Sequence, residues 1–195
     1  HRQSSAASDV YKRQDLYFDG VEDRNEKTLT YTGSSSTLTY SITVENTGQQ
    51  NSTTVNLTLV ERDDGGCGNA DGLTAELSDT TVTLDTEDTE TITVDVEVPD
   101  GQEADDYCWE VTGTVTTPNP TEEISDTVDL ELEVPVLKEC SMSLSKTTLN
   151  LNPGQEGALT ATLTNDGNSD WTVSMSRTGE RASWVSFDGS SNGVL

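Results

Sequence analysis

The residues able to do chemistry are few in kind. Carboxylates dominate: 36 Asp and Glu stand against 10 Lys and Arg, a formal net charge of −26 over 195 residues. They gather at Glu61/Asp63/Asp64, Asp85/Glu87/Asp88, Asp100/Glu103/Asp105/Asp106 and Glu122/Glu123/Asp126. Oxygen-rich loops suit Ca²⁺, which takes about six to eight oxygen ligands. Asp100, Glu103, Asp105 and Asp106 are the leading calcium candidates, because they crowd one loop. The simpler reading of every cluster is a solvated acidic surface. Asn165-Asp166-Gly167-Asn168-Ser169-Asp170 lacks the spacing and closing glutamate of an EF-hand loop. A glycosidase needs only two carboxylates, but also a cleft with aromatic walls. Strand alternation points Trp109 inward, so no catalytic residue is assigned and no enzyme is expected.

Three cysteines follow: Cys67, Cys108 and Cys140. Cys67 lies in a glycine-rich loop and Cys108 at the start of a strand. A Cys67–Cys108 disulfide would close a loop of about 40 residues, worth about 4 kcal/mol on the chain-entropy model. Only an oxidising compartment would keep it. The alternative, two buried or free thiols, stays open. Cys140 has no assigned partner. With no C-x-x-C spacing, a thiolate metal site or redox pair is not expected. Asn51-Ser52-Thr53 and Asn56-Leu57-Thr58 match the N-glycosylation sequon. Asn56 should point outward, because Val55 and Leu57 point in.

The single histidine is His1. Ser-His-Asp and Cys-His arrangements and histidine-ligated zinc are therefore excluded. The acidic balance repels phosphate backbones and anionic lipid, so nucleic-acid binding and polybasic membrane docking are not expected. No run reaches the roughly 18 apolar residues of a membrane-spanning helix, and no signal peptide is visible. No direct membrane insertion of this segment is expected. Residues 1–14 (HRQSSAASDVYKRQ) lack alternation and resemble translated sequencing-adapter read-through. They are set aside as non-native or disordered. That segment has three cations and one acid, a net of +2, so the remainder carries −28.

The elements that must position these groups read as β structure throughout. Apolar residues alternate with Thr, Ser, Asn, Asp or Glu at Leu38/Tyr40/Ile42/Val44, Val55/Leu57/Leu59, Val82/Leu84 and Ile92/Val94/Val96/Val98. The same holds at Trp109/Val111/Gly113/Val115 and Val128/Leu130/Leu132/Val134. One face is dry and the other wet, as in antiparallel sheets with one solvated side. Turn chemistry separates the runs at Thr32-Gly33-Ser34, Asn46-Thr47-Gly48, Asp63-Asp64-Gly65-Gly66, Pro99-Asp100-Gly101 and Pro118-Asn119-Pro120. About seven strands between residues 20 and 136 predict one antiparallel β-sandwich. Asn46 should serve its turn through a left-handed backbone or through side-chain bonding.

The pattern then restarts. Asn46-Thr47-Gly48 overlays Asn165-Asp166-Gly167 at a shift of 119, and strand parity is kept: Tyr40, Ile42 and Val44 fall on Leu159, Ala161 and Leu163. This predicts a tandem repeat, with 15–136 complete and 137–195 the N-terminal half of a second copy. Half a sandwich leaves one sheet without its partner sheet. The abundance of acids over wet faces suggests a high-salt setting or a surface that binds divalent cations.

The words LTYSITVENTGQQNSTTVNLTL and LTATLTNDGNSDWTVSM carry a resemblance, as does VTLDTEDTETITVDVEVP. Each shows a strand, a polar turn, then a strand. With the later Tyr107-x-Trp109-x-Val111 strand, the chain resembles the tandem immunoglobulin-like (Ig-like) β-sandwich repeats of bacterial or archaeal surface proteins, of the CARDB and NEW3 types. The resemblance implies secretion or cell-surface placement and a non-catalytic spacer or adhesion role. The implied partners are neighbouring Ig-like repeats in the same chain and a surface glycan or protein. A carbohydrate- or calcium-binding accessory module of a secreted hydrolase is the alternative. No cysteine stands on the Val44 strand to bridge to Cys108, so the antibody pattern is absent.

Overall fold

The computed structural model describes residues 17–19, 24–28, 30, 32, 34–63, 65–117, 124–187 and 192–194. Residues 1–14, Tyr31, Gly33, Asp64, the Pro118-Asn119-Pro120 turn, Glu122 and Glu123 lie outside that set, so the expectations placed on them do too.

Strand alternation becomes two packed layers. The first sheet has the order β1-β3-β7-β5, from β1 (Tyr17–Asp19), β3 (Ser36–Glu45), β7 (Thr89–Val98) and β5 (Thr74–Leu77). The second has the order β2-β9-β8-β4-β6, from β2 (Arg24–Thr28), β9 (Ser125–Val134), β8 (Asp105–Thr117), β4 (Thr53–Arg62) and β6 (Thr81–Leu84). All pairings in these two sheets are antiparallel except β2 against β9.

The dry faces meet between the layers. Tyr40, Ile42 and Val44 of β3 and Ile92, Val94 and Val96 of β7 are fully buried. Opposite them lie Val55, Trp109, Val111, Leu130 and Leu132 of the second sheet. The fully buried residues of β3 and β7 follow the two-residue period, so a one-residue register slip would put Thr and Asp into the core.

Among the described residues the sandwich has nine strands, more than the seven or so that alternation predicts. The elements that alternation does not name, β1, β2 and β5, are short and lie at two crossings between layers. β1 pairs with β3 in one sheet, while β2 pairs with β9 in the other. Likewise β5 pairs with β7, and after only Ser78–Thr80 the chain enters β6 against β4. At three to five residues, β1, β2 and β5 are too brief for a period to be visible.

Beyond β9 the described residues form two separate two-stranded ribbons. One pairs β10 (Cys140–Leu144) with β11 (Ala161–Asn165); the other pairs β12 (Thr172–Ser174) with β13 (Asn192–Val194). A 3₁₀ turn, Ala182–Trp184, lies between β12 and β13. The apolar core contains no described residue from this C-terminal segment. Met142, Leu144, Leu151, Leu159 and Phe187 are exposed instead. Isolated two-stranded ribbons are marginal in water. Residues 137–195 produced alone should therefore give no cooperative unfolding transition by calorimetry. Residues 15–136 should give one, and a sharp transition in the shorter piece would contradict this account.

Candidate functional site

The specialised side chains collect at the ends of the sandwich, where loops leave backbone groups to satisfy. Asn46 follows β3 and is 1% exposed. Its Nδ2 donates within reach of Gln50 O (2.8 Å), Asp85 O (3.1 Å), Thr53 Oγ1 (3.2 Å) and Leu84 O (3.3 Å). Its Oδ1 accepts from Gly48 N–H at 3.1 Å. The backbone adds Asn46 N–H to Asp88 O (3.0 Å) and Glu87 N–H to Asn46 O (2.9 Å). One amide thus ties the end of a first-sheet strand to β4 and β6 of the second. Of the two roles open to Asn46 from sequence, side-chain bonding is the one found. The left-handed non-glycine residues of the described chain are Ser52 (φ 56°) and Glu87 (φ 63°).

At the other end, Tyr107 near the start of β8 folds back over its own loop. Its hydroxyl donates to Glu103 O at 2.8 Å and accepts from Gln102 Nε2 at 2.7 Å. Both Tyr107 and Gln102 are buried. A tyrosine bonding a few residues upstream at this corner is the tyrosine corner of Greek-key sandwiches. Sequence reasoning placed Tyr107 on the strand and missed this bond. The available signal was a tyrosine entering a strand soon after Pro99-Asp100-Gly101.

The Cys67 and Cys108 sulfurs are joined in a disulfide, with Cα atoms 5.6 Å apart and a sequence separation of 41. It pins the loop after β4 beside β8, where Gly68 N–H donates to Asp106 O at 2.7 Å. A Cβ on Gly68 would collide with the Asp105 carboxylate, so glycine permits this approach. Cys140 is a free, exposed thiol.

The calcium candidates are not brought together. Among the described residues, no group of three or more His, Cys, Asp or Glu is placed to hold a metal. Asp105 and Asp106 are successive residues of β8 and project to opposite faces. Asp105 Oδ1 accepts from the Asp106 N–H at 3.0 Å, and Glu103 supplies its main-chain carbonyl to Tyr107. Crowding in sequence is undone by the two-residue period of the strand that begins there.

The sequon asparagines Asn51 and Asn56 are both exposed. Asn51 Oδ1 accepts from Thr86 Oγ1 at 2.9 Å, and Asn56 Oδ1 from Thr81 Oγ1 at 3.4 Å. Trp109 is 3% exposed in the core, as alternation requires. Among the described residues, no helix is long and apolar enough to cross a membrane.

No protein-family model and no curated protein matches the sequence. Solved structures do resemble the fold. PapD-like (ASH) domain 7 of human CEP192 aligns with a TM-score of 0.42 and 14% identity, over 68% of this chain and 95% of that one. The E. coli chaperone DraB aligns at 0.40 and 12% identity, over 61% of this chain and 54% of DraB. A Bacteroides ovatus protein described as a candidate carbohydrate binder aligns at 0.49 and 11% identity, over 67% of this chain and 40% of that one. The chain thus spans about half of DraB and two fifths of the Bacteroides protein. The fold class is an Ig-like antiparallel β-sandwich.

Removing the Asn46 amide would take the side-chain donor away from the buried Leu84 carbonyl and leave the buried turn at Gln50 and Thr53 without its tie to β6. Asn46→Ala should lower unfolding free energy by about 2–4 kcal/mol in urea melts. Asn165→Ala, outside the core, should leave the sandwich midpoint unchanged.

Among the described residues, two buried tyrosines give a pH dependence. Burial, and then the Glu131 carboxylate, raise the Tyr40 phenol well above its usual value of 10.0. Tyr107 is raised chiefly by burial, opposed by the Gln102 bond and helped by Asp105 and Glu103. Unfolded tyrosines ionise near 10, so the unfolded state releases its protons first as pH climbs. This contribution to stability is complete below about pH 10 and is lost above it. Tyr40→Phe should flatten that alkaline loss. At neutral pH it should cost about 1 kcal/mol for the bond to Glu131 O. Urea melts from neutral to strongly alkaline pH read both effects.

Proposed function

We propose that the chain is a non-catalytic structural module, a spacer or adhesion segment of the CARDB or NEW3 kind, in a secreted or cell-surface prokaryotic protein. The observation that carries this reading is how the buried polar side chains are used. Asn46, Thr53, Gln102 and Asn168 are the buried polar residues of the described chain. Each is hydrogen-bonded to the chain's own loops and strand ends, and among the described side chains the Ser169 hydroxyl is the buried polar atom without a partner. Polar atoms inside a binding or catalytic cleft would instead converge on open space. The Cys67–Cys108 bridge supports an oxidising compartment. The repeat reading is supported by geometry at the 119-residue shift. Asn165 Oδ1 accepts from Gly167 N–H (3.0 Å) and its Nδ2 donates to Ser169 O (3.0 Å), as Asn46 does with Gly48 and Gln50.

A second reading, glycan binding by an accessory module, draws on Trp184. This ring is 75% exposed, beside the exposed Val185 and Phe187. The Arg181 guanidinium sits 4.3 Å from its centroid, covering one face and leaving the other for a sugar ring.

The test is a glycan-array screen of the full chain, together with melts in NaCl and CaCl₂ at matched ionic strength. The spacer reading expects no saturable glycan binding. It also expects equal stabilisation by both salts, through screening of the acidic surface. Glycan binding lost in Trp184→Ala would replace it with the accessory-module reading. Stabilisation specific to CaCl₂ would replace it with a calcium-binding one.

A further inference from the structure

The contact between the sandwich and the C-terminal segment is built from specific bonds. The loop after β11 carries Asn168, which is 4% exposed in a segment whose apolar residues are largely exposed. Its side chain grips the connecting strand on both sides. Nδ2 donates to Pro135 O at 2.9 Å, and Oδ1 accepts from Leu137 N–H at 2.7 Å. Its backbone N–H donates to Leu137 O at 3.2 Å, and Asp166 N–H donates to Glu139 O at 2.9 Å. Its carbonyl accepts from Ala104 N–H at 3.0 Å, reaching the loop that Tyr107 holds. Gly167 lies flat on the connection: a Cβ there would collide with the Leu137 carbonyl oxygen and come within 3.1 Å of Glu139 N.

We infer that the Asp166-Gly167-Asn168 turn is a docking surface for the end of the preceding sandwich. It converts Pro135–Glu139 from a flexible linker into a fixed joint. Asn168 is its positioning residue and Gly167 the residue that permits the close approach. The corresponding turn after β3 has the same internal bonds but carries the exposed Gln49 where Asn168 stands. The grip therefore belongs to Asn168 and not to the turn shape alone. A spacer that transmits direction needs such a joint, and in purpose the inference rests on the spacer reading.

Amide hydrogen exchange on the full chain tests it, read at Ala104 and Leu137, with small-angle scattering for overall extension. In the wild type both amides should be protected. Asn168→Ala and Gly167→Ala should speed their exchange by about tenfold or more. Amides of the core strands, such as Val94, should stay unchanged, and the scattering distance distribution should broaden. Ser169→Ala is the control: Ser169 Oγ is buried without a hydrogen-bond partner, so its loss should leave the joint protected. Unprotected Ala104 and Leu137 in the wild type would overturn the joint, as would full protection in Gly167→Ala. Should a variant lose the core as well, the wild-type protection decides alone. Glycan or calcium binding would remove the spacer reading and leave these exchange rates untouched.

Discussion

A two-layer sandwich buries one face of each strand and leaves the other in water, and the whole molecule follows from that division. The inner faces take Val, Ile, Leu, Tyr and Trp side chains, many of them β-branched and suited to a pleated surface. The outer faces take the acids and threonines. A net charge of −26 is tolerable because the carboxylates stand on the wet side of alternating positions and in turns, where solvent and counterions screen them. Such a chain needs few apolar residues, so its low hydrophobic content is a consequence of thin architecture and not a sign of disorder.

Alternation cannot close the ends. Where strands stop, backbone groups lose their ladder partners, and an unpaired buried polar group costs about 1–3 kcal/mol. Three devices meet that need. Asn46 ties first-sheet β3 to second-sheet β4 and β6. Tyr107 folds the Pro99–Ala104 loop onto β8 through Glu103 O. The Cys67–Cys108 bridge and the Gly68 backbone hold the loop after β4 against the same strand. The last two act on adjacent residues of β8, so the corner is fixed from both faces.

The long strands were legible because their period shows in the residue types; Ile92 through Val98 is the clearest run. The layer crossings at β1/β2 and β5/β6 were not. β1, β2 and β5 are too short to show a period, and although Val82/Leu84 marks β6, the choice of sheet is made by tertiary contacts. The Asn-x-Gly words pointed to the right residue at Asn46, yet sequence could not show that its amide spans two sheets. In the acidic loop, crowding in sequence is not convergence in space. Asp105 and Asp106 already belong to β8, and a strand sends neighbours to opposite faces. Asn168 carries no mark of its role in the sequence, since its partners are main-chain atoms of Pro135, Leu137 and Ala104. Backbone acceptors leave no mark in side-chain spelling.

Short, directional bonds hold the joint where carboxylates from both sides line it. Glu103 stands on the sandwich side of the cleft there and Asp170 on the other. Like charges across a gap repel over roughly a Debye length, about 8 Å at physiological ionic strength. An apolar contact could oppose this, but the turn at Asn168 offers little apolar surface. Hydrogen bonds of 2.7–3.2 Å act where screening does not reach, and they fix orientation as well as distance. The tyrosine corner matters a second time for this reason. Ala104 donates from the residue next to Glu103, whose carbonyl Tyr107 already holds. A bond to a loop that could swing would set no angle; a bond to a loop fixed by the core carries the orientation of the sandwich into the segment that follows.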